Sequence, residues 1–164
     1  MRHASDADIP ALRAIYADTR SEELACVPWP LAAKQKFLEQ QFNLQHFHYL
    51  TYYTEADFLV IEYKNTVQGR YYLLRTAPEH SIVDISLMAA LRGKGVGRAL
   101  IEASQHEAKM LGRGIKLQVL EYNVRAKRLY DRLGFVVTDS ADMYHHMRWP
   151  AASEASIHDI EAGP

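Results

Sequence analysis

The sequence predicts an α/β domain of mixed order (α+β), on three observations. The first fifty residues place apolar side chains at helical spacing. From Phe58 onward, strand-like runs alternate with helix-like ones. Glycines and prolines stand at the joins. A chain of 164 residues suits one domain at roughly 150 residues each. Its 48% hydrophobic and 24% charged residues give the balance of a globular protein able to bury a core. We read residues 1–150 as that domain, and 151–164, small, polar and acidic, as a flexible tail.

Each element has its own reason. Ser5 and Asp6 are good N-caps, Pro10 fits an opening turn, and Ile9, Leu12, Ile15 and Tyr16 recur at helical spacing, so a helix runs to about Thr19. Pro28 and Pro30 then flank Trp29 and interrupt regular structure before a second helix over about Leu31–Leu44. Between Tyr49 and Tyr72 the chain turns aromatic and β-like. Phe58–Glu62 reads as a buried strand, Lys64-Asn65-Thr66 as a turn, Val67–Arg75 as the hairpin partner, and His80–Met88 as a further strand. A helix from Val96 or Gly97 runs to about Leu111, stopped by Gly112 and Gly114. Ile115, Leu117 and Val119 alternate with polar residues, the period of a strand. Ala126, Leu129, Tyr130 and Leu133 form the apolar stripe of a short helix ended by Gly134. Phe135–Thr138 and Met143–Trp149, joined through Asp139-Ser140, close the chain as strands.

Composition excludes several classes of function. Nineteen Lys+Arg against twenty Asp+Glu give a net charge of −1, which is no basis for binding nucleic acid or an anionic membrane surface. One cysteine excludes an intrachain disulfide framework and a multi-cysteine zinc site. No apolar run approaches the ~18 residues of a membrane helix, and the first residues lack the apolar core of a signal peptide. The expected protein is soluble and cytoplasmic. His145 and His146, adjacent on a strand, point to opposite faces, and His46 and His48 lack a third ligand, so no metal is expected.

The most informative stretch is Arg92-Gly93-Lys94-Gly95-Val96-Gly97-Arg98, between a strand and a helix. There, backbone N–H groups and the helix dipole face an anion, and glycines allow it to come close. The spacing fails both Gly-x-x-x-x-Gly-Lys-Ser/Thr and Gly-x-Gly-x-x-Gly. It fits Arg-x-x-Gly-x-Gly, from Arg92 through Gly95 to Gly97.

That motif resembles the coenzyme A pyrophosphate-binding loop of the GNAT superfamily of N-acetyltransferases. Asn123-Val124-Arg125-Ala126 through Tyr130 to Gly134-Phe135 is similar to the family's Asn-x-x-Ala-x-x-x-Tyr-x-x-x-Gly-Phe segment. Together the motifs cover about Ile82 to Phe135, while the family's first strand is cut to Met1–Ala4. The resemblance implies a mixed, mostly antiparallel sheet of about six or seven strands with helices on both faces. It implies acetyl transfer from acetyl-CoA to a primary amine, by direct attack in a ternary complex. An acyl-CoA-binding domain without catalysis is the alternative. By the same resemblance, Leu87 and Met88 would hold the pantetheine arm through their main chain, and Arg92, Gly93, Lys94, Gly95, Val96, Gly97 and Arg98 would surround the pyrophosphate. Asn123 would reach the arm, its amide donating and accepting at once, and Tyr130 would protonate the leaving thiolate, against a bland reading as plain core.

The base is read from the residues. Asp84 lies in an apolar strand, where desolvation would raise its pKa toward a useful range, unless it faces solvent or pairs with a cation; Glu22, Glu23, Tyr71 and Tyr72 are the other candidates, and the sequence leaves the choice open. For the acceptor we single out Glu22, Glu23 and Trp29, with Tyr71 and Tyr72 from the middle strands, since carboxylates and aromatic faces suit an ammonium group. The identity of the amine and a homodimer are left open by the sequence.

Overall fold

One carboxylate anchors the N-terminal end. In the computed structural model, which describes residues 1–151, Asp8 accepts hydrogen bonds from the Ser5 N–H at 2.8 Å and the Ser5 hydroxyl at 3.0 Å. It also accepts from Nη1 and Nη2 of Arg2, at 2.7 and 2.8 Å. The Arg2 bonds above all hold the Asp8 carboxyl well below the usual carboxylate range. The caps expected at the start of the first helix were Ser5 or Asp6. Ser5 does open the turn, and Asp8, two residues beyond Asp6, gathers the donors.

The chain divides into two compact units. The first is Met1–Tyr72 with Asp84–Lys94, and the second is Leu73–Val83 with the chain from Gly95 onward. The first unit begins with β1 (Arg2–His3), which pairs antiparallel with β2 (Asp57–Tyr63) through Arg2↔Val60 and His3↔Leu59. The short Met1–Ala4 stretch therefore does form a strand. Helix α1 (Ile9–Thr19) carries Pro10 in its first turn, α2 (Ser21–Ala25) follows, and α3 (Leu31–Tyr52) runs eight residues past the expected end at Leu44. Leu12, Ile15 and Tyr16 of α1 bury against Phe42 of α3 and Val60 of β2, as their spacing requires. Strands β3 (Thr66–Arg75) and β4 (Glu79–Leu87) pass through both units. They approach closely at Gly69, where a Cβ would lie 2.8 Å from Leu87 Cδ2 and 2.9 Å from Ser86 O.

The second unit holds α4 (Val96–Met110), β5 (Gly114–Leu120), α5 (Val124–Arg132), β6 (Val136–Ala141) and β7 (Tyr144–Trp149). Ile115, Leu117 and Val119 of β5 are buried and their polar neighbours are not, the alternation read from the sequence. β4 and β5 are parallel from Glu79↔Gly114 to Ile82↔Leu117, whereas β7 pairs antiparallel with both β5 and β6. The hairpin between β6 and β7 turns at Asp142–Met143, whose φ values of 52° and 67° are left-handed. Asp139 and Ser140, expected as the join, lie within β6. Among the described residues, seven strands follow the order β1-β2-β3-β4-β5-β7-β6, mostly antiparallel, with five α-helices, which is the fold class expected. Of the tail expected over 151–164, all but Ala151 lies outside the described residues. Among the described residues, no helix is long and apolar enough to cross a membrane.

A buried histidine, His80, and a half-buried one, His46, make stability depend on pH. His80 is fully buried, its Nε2 lies 3.4 Å from Arg113 Nη1, and its Nδ1 has no partner. Burial chiefly lowers the pKa of His80, and of His46, below the ordinary value. The unfolded chain then binds more protons near pH 6.5, the unperturbed histidine value being about 6.5. Stability is therefore lost as pH falls through that value. We expect the melting temperature to drop between pH 7.5 and 5.5, and His80→Gln to lose less over that interval than wild type. Thermal scans at the two pH values check this.

Candidate functional site

The end of β4, a turn and the start of α4 form one continuous segment. The Met88 N–H donates to Gln68 O at 2.8 Å, so this amide, expected to hold the arm, is already spent on β3. The turn closes with Leu91 N–H on Met88 O at 2.9 Å. Gly93 and Gly95 then adopt φ of 75° and 80°, the left-handed region that glycine enters at no steric cost. Gly95 caps α4, whose first intrahelical bond joins Ala99 N–H to Gly95 O at 2.9 Å. The N–H groups of Val96, Gly97 and Arg98 precede that bond and have no intrahelical acceptor. A Cβ at Gly95 would meet nothing within 4 Å, so the space over the turn is open. Donors, the positive end of a helix and open space fit a diphosphate.

The three cations of this segment are each engaged within the protein. Arg92 turns back: its Nε donates to Leu87 O at 2.8 Å, and its Nη2 pairs with Asp18 of α1. The side chain expected around the pyrophosphate is thus engaged with β4 and α1. Arg98 bonds Glu102 one helical turn on, at 2.8 Å, and Lys94 Nζ lies over the Tyr63 ring at 5.9 Å.

Asp84 is not a desolvated, solitary carboxylate. Arg70, 2% exposed on β3, donates to it through Nε at 3.0 Å and Nη2 at 2.8 Å. The Tyr49 hydroxyl donates at 2.9 Å and the Ser86 hydroxyl at 2.8 Å. Arg70 Nη2 also bonds Gln45 Oε1 at 2.7 Å. Burial, then the Asp84 charge, raises the Tyr49 pKa, so its phenol stays protonated and donating. Burial works against the charge on Arg70, but Asp84 beside it raises its pKa on balance. Asp84, expected as the base, is an ion-paired acceptor of four donors, the cation-paired alternative. Sequence reading missed Arg70, Tyr49 and Asp18. Only Arg70 left a trace, as a charge two residues from Tyr72 on the same face of the strand, directly before the run Tyr71–Leu74.

In the second unit, Tyr130 is 5% exposed on α5, with its ring centroid 5.9 Å from that of Phe135. Asn123 caps α5: its Oδ1 accepts from Ala126 N–H at 3.1 Å. Of the donor and acceptor expected from this amide, the acceptor is taken by the cap and the NH₂ remains.

The expected acceptor residues do not gather. A cleft of about 100 Å³ lies among Tyr16, Arg20, Glu23, Leu24, Phe37 and Gln41. Glu23 reaches it, accepting from Arg20 Nη1 at 2.9 Å. Glu22 is exposed on α2, and Trp29, 46% exposed, packs edge-on against Phe37 at 5.5 Å. Tyr71 and Tyr72, 2% and 1% exposed, are core residues. Tyr72 sits 4.8 Å from the Phe58 ring and 5.7 Å from that of Tyr49, its hydroxyl has no partner, and burial pushes its pKa up to about 12. Among the described residues, no group of three or more His, Cys, Asp or Glu side chains is placed to hold a metal ion.

A family model described as "Acetyltransferase (GNAT) family" matches residues 12–135. The chain is 31% identical over 88 residues to N-alpha-acetyltransferase 40 of Saccharomyces cerevisiae, 49% of this chain and 31% of that protein. It is 30% identical over 95 residues to mycothiol acetyltransferase of Corynebacterium glutamicum, 57% of this chain and 32% of that protein. The match thus spans about a third of the length of these curated relatives. Among solved structures, PaiA N-acetyltransferase from Thermoplasma acidophilum in complex with coenzyme A superposes with a TM-score of 0.68 at 18% identity, over 91% of this chain and 96% of that one.

Removing Asp84 leaves a buried guanidinium without its counter-ion. We expect Asp84→Ala to cost about 3–5 kcal/mol of stability, measured by urea unfolding. A loss below about 1 kcal/mol, the scale of an exposed pair, would contradict this reading of the cluster.

Proposed function

Because the chain belongs to the acetyltransferase (GNAT) family, whose model covers residues 12–135, we propose that it transfers an acetyl group from acetyl-CoA to a primary amine, by direct attack in a ternary complex. The observation that carries this reading is the open, left-handed turn at Gly95 leading into the N-terminus of α4. The N–H groups of Gly93 to Gly97 bind the diphosphate there, with Lys94 beside them. Taken unit by unit, the strand end at Leu87 in the first and the Asn123 NH₂ in the second are the groups this reading assigns to the pantetheine arm.

Acetyl transfer forms a C–N bond to the amine and breaks the C–S bond of the thioester. Tyr130 gives its hydroxyl proton to the departing sulfur and regains one from solvent. The amine's proton leaves through water, since four donors occupy Asp84. Glu23 in its cleft supports an ammonium acceptor, as does the yeast relative's name, which describes acetylation at an α-amine. A cytoplasmic location belongs to the same proposal. The occupied Asp84 also favours a second reading, an acyl-CoA-binding domain without catalysis.

Free-thiol release from acetyl-CoA, assayed with amino acids, peptide N-termini, lysine side chains and small amines, tests the proposal. Binding of CoA without thiol release from any of them would favour the second reading. A side chain at Gly95 projects into the phosphate space and strains a left-handed backbone. Gly95→Val should weaken CoA binding at least tenfold, about 1.4 kcal/mol, by calorimetry, in a protein that still folds.

Tyr130→Phe keeps the ring and its packing. It should lower kcat by ~10²–10⁴, the usual contribution of a general acid, with CoA affinity preserved. A kcat within about twofold of wild type, far below that range, would make Tyr130 a core residue only.

A further inference from the structure

Asp18 stands in the last turn of α1, and no motif marks it. Its carboxylate pairs with Nη2 of Arg92, while Nε of the same guanidinium donates to Leu87 O at 2.8 Å. Nε and Nη2 share one edge of a rigid planar group, so a single edge joins the end of a helix to the end of a strand. The Arg92 and Asp18 side chains are 31% and 26% exposed, so the pair contributes little to stability by itself. Its effect is directional. Arg92 is a long side chain with Lys94 and Arg98 close to it in sequence. Left unheld, it would turn toward any anion above the loop.

We infer that Asp18 is a positioning residue. It keeps Arg92 on the Leu87 carbonyl, so that Arg92 sets the strand end for the amide-bearing arm of acyl-CoA and does not serve as a diphosphate ligand. This rests on the acetyl-CoA reading of the site. Asp18→Asn preserves shape but removes the carboxylate charge that pairs with the Arg92 guanidinium. Arg92→Lys preserves the loop charge but removes the planar edge.

Two probes separate the roles: CoA itself, and its nucleotide half, a phosphorylated ADP without the pantetheine arm. In calorimetry with the full chain, each variant should bind CoA at least about fivefold more weakly, roughly 1 kcal/mol. Each should bind the nucleotide half within about twofold of wild type, less than 0.5 kcal/mol. Asp18→Glu, which restores the charge, should recover most of the CoA affinity. Equal losses on both probes, or no loss on either, would overturn the inference and leave the acetyl-CoA reading standing. Wild-type protein that binds neither probe would overturn both.

Discussion

Arg70 lies on β3 with 2% of its surface exposed, and a charge that deep costs several kcal/mol unless its neighbours answer it. The answer comes from three elements. β4 supplies Asp84, and α3 supplies Gln45 and Tyr49. The rings of Tyr49 and Tyr72 lie 5.9 and 5.4 Å from the guanidinium carbon. Two of these partners come from α3 beyond Leu44, so the helix must continue at least to Tyr49, and it runs on to Tyr52. The cluster is incompletely satisfied, for Arg70 Nη1 and the Tyr72 hydroxyl have no partner. Its value is therefore in fixing which faces of α3, β3 and β4 meet, more than in net stability.

The same cluster shows where sequence reading stops. Periodicity alone placed β5 and α5, because Ile115, Leu117, Val119 and the Ala126–Leu133 stripe decide their own burial locally. The glycine turn was legible for a similar reason, since left-handed backbone at two positions leaves few residues to choose from. The end of α3 was not legible. Phe47, Tyr49, Tyr52 and Tyr53 are residues that favour strands, and the partners that Tyr49 meets from its helix, Arg70, Tyr72 and Asp84, lie 21 or more residues away in sequence. The partners of Asp84 were hidden similarly: an isolated carboxylate among apolar residues looks desolvated until its counter-ion, 14 residues back, is seen.

The acceptor residues were gathered by composition, which ignores direction. Tyr71 and Tyr72 are adjacent on a strand, so their side chains leave opposite faces and could not line one pocket together. Glu22 and Glu23 are neighbours on a short helix, where successive residues diverge by about 100°, and only Glu23 reaches the cleft. Trp29 follows a proline and is drawn to the nearest apolar surface, Phe37, one turn and a half into α3.

The glycine turn gives the corresponding lesson about charge. Three cations in seven residues look like an electrostatic trap, yet Asp18 and Glu102 neutralise two of them and Tyr63 lies under the third. What faces outward is a set of backbone N–H groups at a helix end worth about half a unit charge, over a glycine with no atom in its way. Such a site attracts anions weakly from a distance and holds them by direction at close range. That suits a chain of net charge −1, and it makes the geometry of the turn, rather than its count of basic residues, what an anion would meet there.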